Sequence, residues 1–537
     1  ISRYAALGRG IMCTEAQAGV TNELLDAVMR TADETPDAVA YHTHGVDDVS
    51  YASLWDGACR IAWALLDHVP NKAPVIVYSG KTPLAVMSFL GCLLAGHAFV
   101  PVDSELPVQR VHDIASQIEG AVLLACEDVP HELAHDLESG LVVDVRRVLD
   151  ASEHIRGRQS TPPRESWVKG EDTHYIIFTS GSTGRPKGIE VSAANVANFM
   201  RWLRGFPLVC DGGRTFLDQA HYSFDLSEYE LVGSLATGGK LHAVSSEVAK
   251  DYRALFDELA ASGVEIWVST PSFADFCLVD KDFSRELLPE LGMFLFCGEE
   301  LHRTTAHELR RRFPKARIVN TYGPTESTVA VTYVELSDEE LSGGEGALPV
   351  GRPREGTELR IVDPDTGRAC PAGVSGEIVI VGDTVAKGYY ENPEKTQEAF
   401  FQTELADGTP TRGYHTGDLG HVDEGGMLFC EGRFDSLVKL NGFRIELGEV
   451  EGCLAEAPGV AQAAVVPVRR DGRVRSLRAF VVLEERLVDG DFELARRLKG
   501  FLSSHLPSYM VPRSIKFVER MPLTANGKVD RKALQRT

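Results

Sequence analysis

The stretch TSGSTGRPKG, residues 179–188, follows the apolar run HYIIFT and packs four hydroxyls, three glycines and a lysine into ten residues. Small residues let a polyanion approach the backbone, hydroxyls and amides donate to it, and Lys187 adds positive charge. These are the components of a cradle for nucleotide phosphates. The loop is not a Walker A motif, which has glycine before its lysine and serine or threonine after it; Pro186 and Gly188 stand in those places. By composition alone it also fits a plain surface loop, and by itself it names no reaction.

Four more segments carry chemistry-bearing residues in a fixed order. NTYGPTEST (320–328) has Tyr322, a face on which a base can stack, and Glu326, a hard oxygen donor suited to Mg²⁺. YHTGDLG (414–420) supplies Asp418, a carboxylate able to accept from two ribose hydroxyls. GRFDSLVKLNGFRIELGEVE (432–451) and LTANGKVDRKAL (523–534) complete the set. Each residue has a commonplace reading: Asp418 as a turn residue, Glu326 as a helix-start charge, Lys528 as a solvated lysine. All of them in this order make coincidence implausible.

Short apolar runs separated by helical spacing position these segments. APVIVYSG (73–80) reads as a buried strand, TPLAVMSFLGCLLAG (82–96) as an apolar helix, and a short strand is expected near VSYASL. AVLLAC, LVVDV, HYIIFT, KLHAVS, EIWVST, MFLFCG and RIVNTYG continue the alternation of a parallel α/β architecture. After about residue 345, ELRIVDPDTGRACPAGVSGEIVIVG joins its strands by Asp/Pro/Gly turns, as an antiparallel, barrel-like subdomain does. Further on, AQAAVVPVRRDGRVRSLRAFVVLEE is a hairpin pattern with a D-G turn at 471–472. The expectation is a large N-terminal α/β domain, residues 1–434, and a small α+β C-terminal domain, 435–537, with 1–19 an extension or tag remnant.

At 537 residues the chain is too long for one core. Its 43% hydrophobic and 25% charged content is that of an ordinary globular protein. A net charge of −23 argues against nucleic acid as a general partner. The ten cysteines form no C-x-x-C pair or Cys/His cluster, so reduced thiols are expected rather than disulfides or zinc ligation. No run of about 18 apolar residues and no basic-then-apolar leader pattern is present, and a cytoplasmic protein without a membrane span is expected.

Together these motifs resemble the adenylate-forming superfamily of acyl-CoA synthetases, luciferases and amino-acid adenylation domains, from about Val20 to the end of the chain. The resemblance implies a mobile C-terminal domain and two steps: ATP and a carboxylate give an acyl-adenylate and pyrophosphate, then a thiol takes the acyl group. It implies that Thr179, Ser180, Gly181, Ser182, Thr183, Gly184 and Lys187 hold the β- and γ-phosphates. Tyr322 would stack on adenine, Glu326 would bind Mg²⁺, and Asp418 with Arg433 would hold the ribose. Lys528 would bridge the substrate carboxylate and phosphate oxygens. Asp435 matches the hinge, and Gly442 in KLNGFR matches the loop that opens a path for a pantetheine arm.

HYSFDLSEYE (221–230) bears on the acid. Asp225 stands where amino-acid-activating relatives hold the α-ammonium, and an enclosed carboxylate needs a cation. Asp225 and Ser227 equally suit a helix start. The other pocket positions, Leu226, Tyr229, Ser269, Leu295, Cys297, Thr321, Val329 and Ala330, are apolar or small and add no second charge. A small amino acid such as alanine is expected, with glycine, serine and valine left open. EIWVSTPSFADFCLVD, MFLFCGEEL and FPKARIVNTYGPTESTVAVT are most similar to the D-alanine–carrier protein ligases, in which the cysteine at the place of Cys297 touches the substrate methyl. A small buried hydrophobe there fits the sequence equally well. Arginine outnumbers lysine, a GC-rich bias that leaves a role in natural-product biosynthesis open.

No G-G-x-S carrier motif or H-H-x-x-x-D-G condensation motif is present, so a separate phosphopantetheinylated carrier protein is the expected acceptor, reached in trans. Arg469, Arg470, Arg473, Arg475 and Arg478 could steer an acidic carrier, or simply form the solvated face of the hairpin. A CoA ligase for a small carboxylic acid shares the ATP motifs but does not need Asp225. A non-catalytic nucleotide-binding regulator need not keep Lys528.

Overall fold

The apolar runs become the parallel strands of two sheets. The computed structural model describes residues 21–69, 71–136, 141–152, 160–181, 185–342, 347–433, 437–470, 473–483, 490–522 and 529–535. Val75–Ser79 is buried along its length, as a strand covered on both faces must be. It lies between Phe99–Asp103 and Val122–Ala125 in a seven-stranded sheet, flanked in turn by Thr173–Thr179 and Leu141–Asp144, all parallel. Lys187–Ser192 and Gly388–Tyr389 extend it antiparallel. The helix Pro83–Ala95 is buried on nearly every side, capped by the Thr82 side chain and ended at Gly96 with φ +86°.

The second sheet has nine strands. Its parallel centre runs in the order Arg317–Tyr322, Met293–Phe296, Ile266–Ser269, Thr215–Asp218, Lys240–Ala243 and Val39–Thr43. Thr332–Glu335 turns back antiparallel beside Arg317–Tyr322. The strand expected near VSYASL is only Val49–Ser50. The Ser50 hydroxyl accepts from the Ser53 amide and starts a helix, Tyr51–His68, at once. A third sheet, of five antiparallel strands between Thr357 and Arg433, forms the expected turn-rich subdomain.

The described residues between 437 and 535 fold around a core of their own, in which Ile445, Val450, Leu454, Val465, Ala479 and Leu502 are buried. Its elements are a short hairpin, Leu437–Leu440 with Phe443–Glu446, the helix Leu447–Glu456, a long hairpin, Val460–Arg470 with Arg473–Leu483, and the helix Asp491–His505. The D-G turn and the expected hinge Asp435 lie outside the described residues. Among the described residues, no helix is long and apolar enough to cross a membrane.

Candidate active site

In three neighbouring parallel strands Ser269 pairs with Phe296 and Phe296 with Asn320, and the third strand runs on to Tyr322. Side-chain alternation divides them between two cores: Trp267, Phe294, Phe296 and Ile318 face one, while Val268, Leu295, Cys297 and Val319 face the other. Leu295 and Cys297 thereby join Leu226, Tyr229, Val329 and Ala330 in one buried apolar cluster. The polar atoms of this wall are satisfied within the protein. The Tyr229 hydroxyl donates to Thr321 Oγ1 at 3.0 Å, which donates to the Phe296 carbonyl at 2.8 Å. Ser269 Oγ accepts from Trp267 Nε1 at 2.8 Å and donates to the Thr270 carbonyl at 2.8 Å. The wall offers shape rather than hydrogen bonds.

Thr328 and Val329 have φ of +57° and +68°, a conformation that β-branched residues rarely adopt. The tight return of the chain after Tyr322 imposes it, with the Val331 amide donating back to the Tyr322 carbonyl at 2.7 Å. A Cβ on Gly323 would lie 2.4 Å from Ala330 Cα, so only glycine fits inside this turn. The strained turn holds Val329 against Cys297, whose Sγ lies 3.9 Å from the Val329 carbonyl.

Asp225 precedes the buried helix Ser227–Leu235 but does not cap it: the cap position falls on Leu226 and no side chain bonds there. Asp225 Oδ2 is enclosed without a hydrogen-bond partner. Burial pushes this carboxyl up to about 6, against the opposing pull of the Thr325 hydroxyl and of Arg444 and Lys439. One helical turn on, Glu228 is also buried, and burial with the charge of Asp225 pushes it to about 8. Two adjacent acids therefore share one enclosed corner, and each has its carboxyl raised by burial. Glu228 was not legible in the sequence, because SEYE reads equally well as the solvated start of a helix.

Asp418 and Arg433 are a paired couple on adjacent strands, with Arg433 Nη1 2.5 Å from Asp418 Oδ1. The Tyr322 hydroxyl donates to Asp418 Oδ2 at 2.6 Å. The residues expected around adenine and ribose thus form one contiguous group. Glu326 is fully buried. Burial alone would raise its carboxyl, but the Arg444 guanidinium and Lys187 overcome that and hold it at about 2. Its Oε2 accepts from Arg444 Nη1 at 2.6 Å, its Oε1 accepts from the Tyr389 hydroxyl at 2.9 Å, and Lys187 Nζ stands 3.9 Å away.

Arg444 belongs to the C-terminal unit, whose short hairpin is seated in this site. Asn441 and Gly442, at φ +53° and +85°, make the two-residue turn of LNGF, an N-G signal for which positive φ at both positions is required. The Gly442 amide donates to Glu299 Oε1 at 2.7 Å, and a Cβ on Gly442 would lie 2.4 Å from Thr270 Cγ2. Glu299 was another residue missed in the sequence.

The hairpin also closes the glycine-hydroxyl loop. Ser180 Oγ donates to the Arg444 carbonyl at 2.8 Å, the Gly181 amide to Glu449 Oε2 at 3.2 Å, and Lys187 Nζ to Glu446 Oε1 at 3.2 Å. Arg110 grips the other oxygen of Glu449. In this arrangement two carboxylates occupy donors that the sequence assigned to phosphate. Thr179 ends the preceding strand, with its hydroxyl enclosed and unbonded. Ser182, Thr183, Gly184 and Lys528 lie outside the described residues.

The arginine cluster, read as a solvated or carrier-facing surface, is partly a contact between the two units. Arg473 donates to Asp275 and, at 2.8 Å, to Thr305 Oγ1, so its guanidinium is committed within the chain. A cavity of about 360 Å³ runs between the units. Gly298, Thr321, Tyr322 and Asp418 line it from the larger unit, and Lys439, Arg469 and Arg475 line it from the C-terminal unit.

Residues 28–390 match the family of AMP-binding enzymes, and residues 449–528 match the AMP-binding enzyme C-terminal domain. A D-alanine–D-alanyl carrier protein ligase of Bacillus velezensis is 41% identical over 515 residues, 95% of this chain and 99% of the relative. The ligase of the same name from Listeria welshimeri is 39% identical over 518 residues, 96% of this chain and 99% of the relative. Among solved structures, a holo NRPS protein containing adenylation and PCP domains, bound to a vinylsulfonamide inhibitor, superposes with a TM-score of 0.79. Its identity is 27%, covering 96% of this chain and 84% of that one.

Proposed function

The chain belongs to the AMP-binding enzyme family, and from that premise we propose that it is an ATP-dependent ligase that activates D-alanine and passes it to a carrier protein in the cytoplasm. The observation that carries this reading is the enclosed Asp225 Oδ2, which has no hydrogen-bond partner and precedes a helix whose residues join a buried apolar wall. An α-ammonium supplies a cation for it, and a methyl group suits the Tyr229, Leu295, Cys297 and Val329 wall. A CoA ligase for an acid without an amino group leaves Asp225 uncompensated, which disfavours that alternative.

In the first step a substrate carboxylate oxygen attacks the α-phosphorus of ATP, the bond to the β-phosphate oxygen breaks and pyrophosphate leaves. The protein contributes position and charge. Ser180, Gly181 and Lys187, with Thr179, Ser182, Thr183 and Gly184, hold the phosphates. Tyr322 and the Asp418–Arg433 couple hold the nucleoside, and Lys528 bridges carboxylate and phosphate. Glu326 fits Mg²⁺, being a hard oxygen donor held ionised at about 2 by Arg444 and Lys187 against burial. The ion, when bound, neutralises phosphate charge. The docked hairpin supports a second arrangement: Glu446 and Glu449 take the phosphate donors and Arg444 takes Glu326, so this arrangement suits the enzyme after pyrophosphate has gone. The phosphopantetheine thiolate then reaches the acyl carbon through the cavity beside Gly442, a thioester forms and AMP leaves. Asp435 is the hinge between the two arrangements.

The test is ATP–pyrophosphate exchange with D-Ala, L-Ala, Gly, Ser, Val and simple carboxylic acids. Strong exchange with D-Ala supports the reading. Exchange confined to acids lacking an amino group overturns it.

A further inference from the structure

Away from this site, at the opposite end of the nine-stranded sheet, three histidines converge on one buried glutamate. Val39–Thr43 and Lys240–Ala243 are parallel neighbours, and their register sets His42 directly beside His242. The two rings stack with centroids 4.6 Å apart. His44, two residues along the chain, reaches the same group. Glu258 comes from the helix Tyr252–Ser262, which is anchored by the buried Leu255 and Leu259. Its Oε1 lies 2.8 Å from His242 Nε2 and 3.6 Å from His42 Nε2, and its Oε2 lies 3.0 Å from His44 Nδ1.

Asp48 Oδ1 lies 2.6 Å from His42 Nδ1, and a carboxylate there requires the hydrogen on Nδ1. His42 Nε2 faces Glu258 Oε1 at 3.6 Å, longer than a hydrogen bond, across a gap that a cation would bridge. A carboxylate behind a histidine ligand is also the usual means of orienting that ligand for a metal.

We propose that His42, His242 and Glu258 form a binding site for a zinc-class divalent cation, open to solvent beside His44. Two imidazoles and one carboxylate form a donor set that suits zinc-class ions better than magnesium or calcium. The ligand atoms all lie within 4.8 Å of one another. Tetrahedral coordination at about 2.0–2.1 Å sets neighbouring ligand atoms roughly 3.3 Å apart, so small side-chain shifts close the site. Glu258 is 6% exposed, so the carboxylate is desolvated and favours a charged partner, while the His44 side chain, 71% exposed, stands at the entrance. His44 is a positioning residue that holds Glu258 Oε2. The site joins the sheet edge to a helix and takes no part in the ligase reaction.

The test uses the full chain, purified without a polyhistidine tag and stripped with chelator. CoCl2 is titrated with visible absorption as the readout, and ZnCl2 by calorimetry. One equivalent should bind with the intense ligand-field bands of low-coordinate cobalt, and zinc should raise the melting temperature. Glu258→Gln preserves shape while exchanging one acceptor oxygen for an amide donor, and His44→Ala changes an exposed residue, so both should fold and keep wild-type ATP–pyrophosphate exchange. Glu258→Gln should weaken zinc binding at least tenfold and abolish the thermal shift, and His44→Ala should weaken it severalfold. No saturable binding in the wild type, or unchanged affinity in Glu258→Gln, overturns the assignment.

Discussion

Asp225 carries a pH signature that a merely structural carboxylate would not produce. Burial raises it to about 6, with Glu326 acting in the same direction and Thr325, Arg444 and Lys439 pulling the other way. An ammonium substrate needs Asp225 ionised, and below that value a proton competes for the same oxygens. At pH 7 about nine-tenths of such a group is ionised, and at pH 5 about one-tenth, so kcat/KM for amino-acid-dependent exchange should fall about tenfold across that interval. Glu326, held at about 2 by Arg444 and Lys187 against burial, stays ionised throughout and does not confuse the profile. Asp225→Asn removes the charge. Breaking a buried pair costs about 3–5 kcal/mol, which is roughly two to four powers of ten in kcat/KM, and the residual activity should lose its acid limb. The ligand-free variant should melt no lower than wild type at pH 8, because it no longer holds an uncompensated carboxylate. The assay is pyrophosphate exchange at pH 5–8, extrapolated to kcat/KM. A variant with wild-type kcat/KM, or a wild-type profile flat between pH 7 and 5, refutes the role given to Asp225.

Gly442→Ala should keep pyrophosphate exchange within about twofold and slow aminoacyl transfer to the carrier at least tenfold, since its Cβ meets Thr270 Cγ2 at 2.4 Å and its φ is +85°; single-turnover thioester formation reads this, and equal loss in both half-reactions would contradict it. Glu228, at about 8 in the folded protein because of burial and then Asp225, against 4.5 unfolded, keeps a proton on folding that the unfolded chain releases. Its contribution is therefore neutral below the unfolded value and increasingly destabilising as pH rises toward about 8. Glu228→Gln should raise the melting temperature by a few degrees at pH 8 and scarcely at pH 4.5; a gain independent of pH would remove this account. Arg473→Glu sets a carboxylate against Asp275 and should lower the transfer rate at saturating carrier, whereas Arg469→Glu should act on the apparent KM for carrier; identical kinetic patterns would dissolve the distinction between domain contact and docking surface.

The strands were legible because a buried parallel strand needs an uninterrupted apolar run, and VIVYS or MFLF can be little else. The phosphate-type loop was legible because its residue types state their preference for anions. What filled it was not, since Glu446 meets Lys187 across a sequence separation of 259 residues and no local pattern records that approach. The turn signal in LNGF was present, but its consequence depended on where the hairpin docks. His42 and His44 alternate visibly in YHTHG, while the partner His242 comes from a strand about 200 residues away whose register only the sheet reveals. Glu228 and Glu299 were hidden for a related reason: an acidic residue looks solvated until packing encloses it.

The grip of Arg444 on Glu326 bears on the order of events in one catalytic cycle. With the hairpin lifted and nothing in its place, Glu326 would lose its Arg444 partner at 2.6 Å and keep Lys187 at 3.9 Å and a tyrosine hydroxyl, a less favourable arrangement than the paired state. The low-energy forms are those in which a cation is always present, whether brought by the chain or by the nucleotide. Exchange of one cation for the other leaves the local charge nearly balanced and the two forms close in free energy. On the proposed two-arrangement cycle, the hairpin would leave when a loaded nucleotide arrives and return when pyrophosphate carries its charge away, so the chemistry itself would set the timing of the movement.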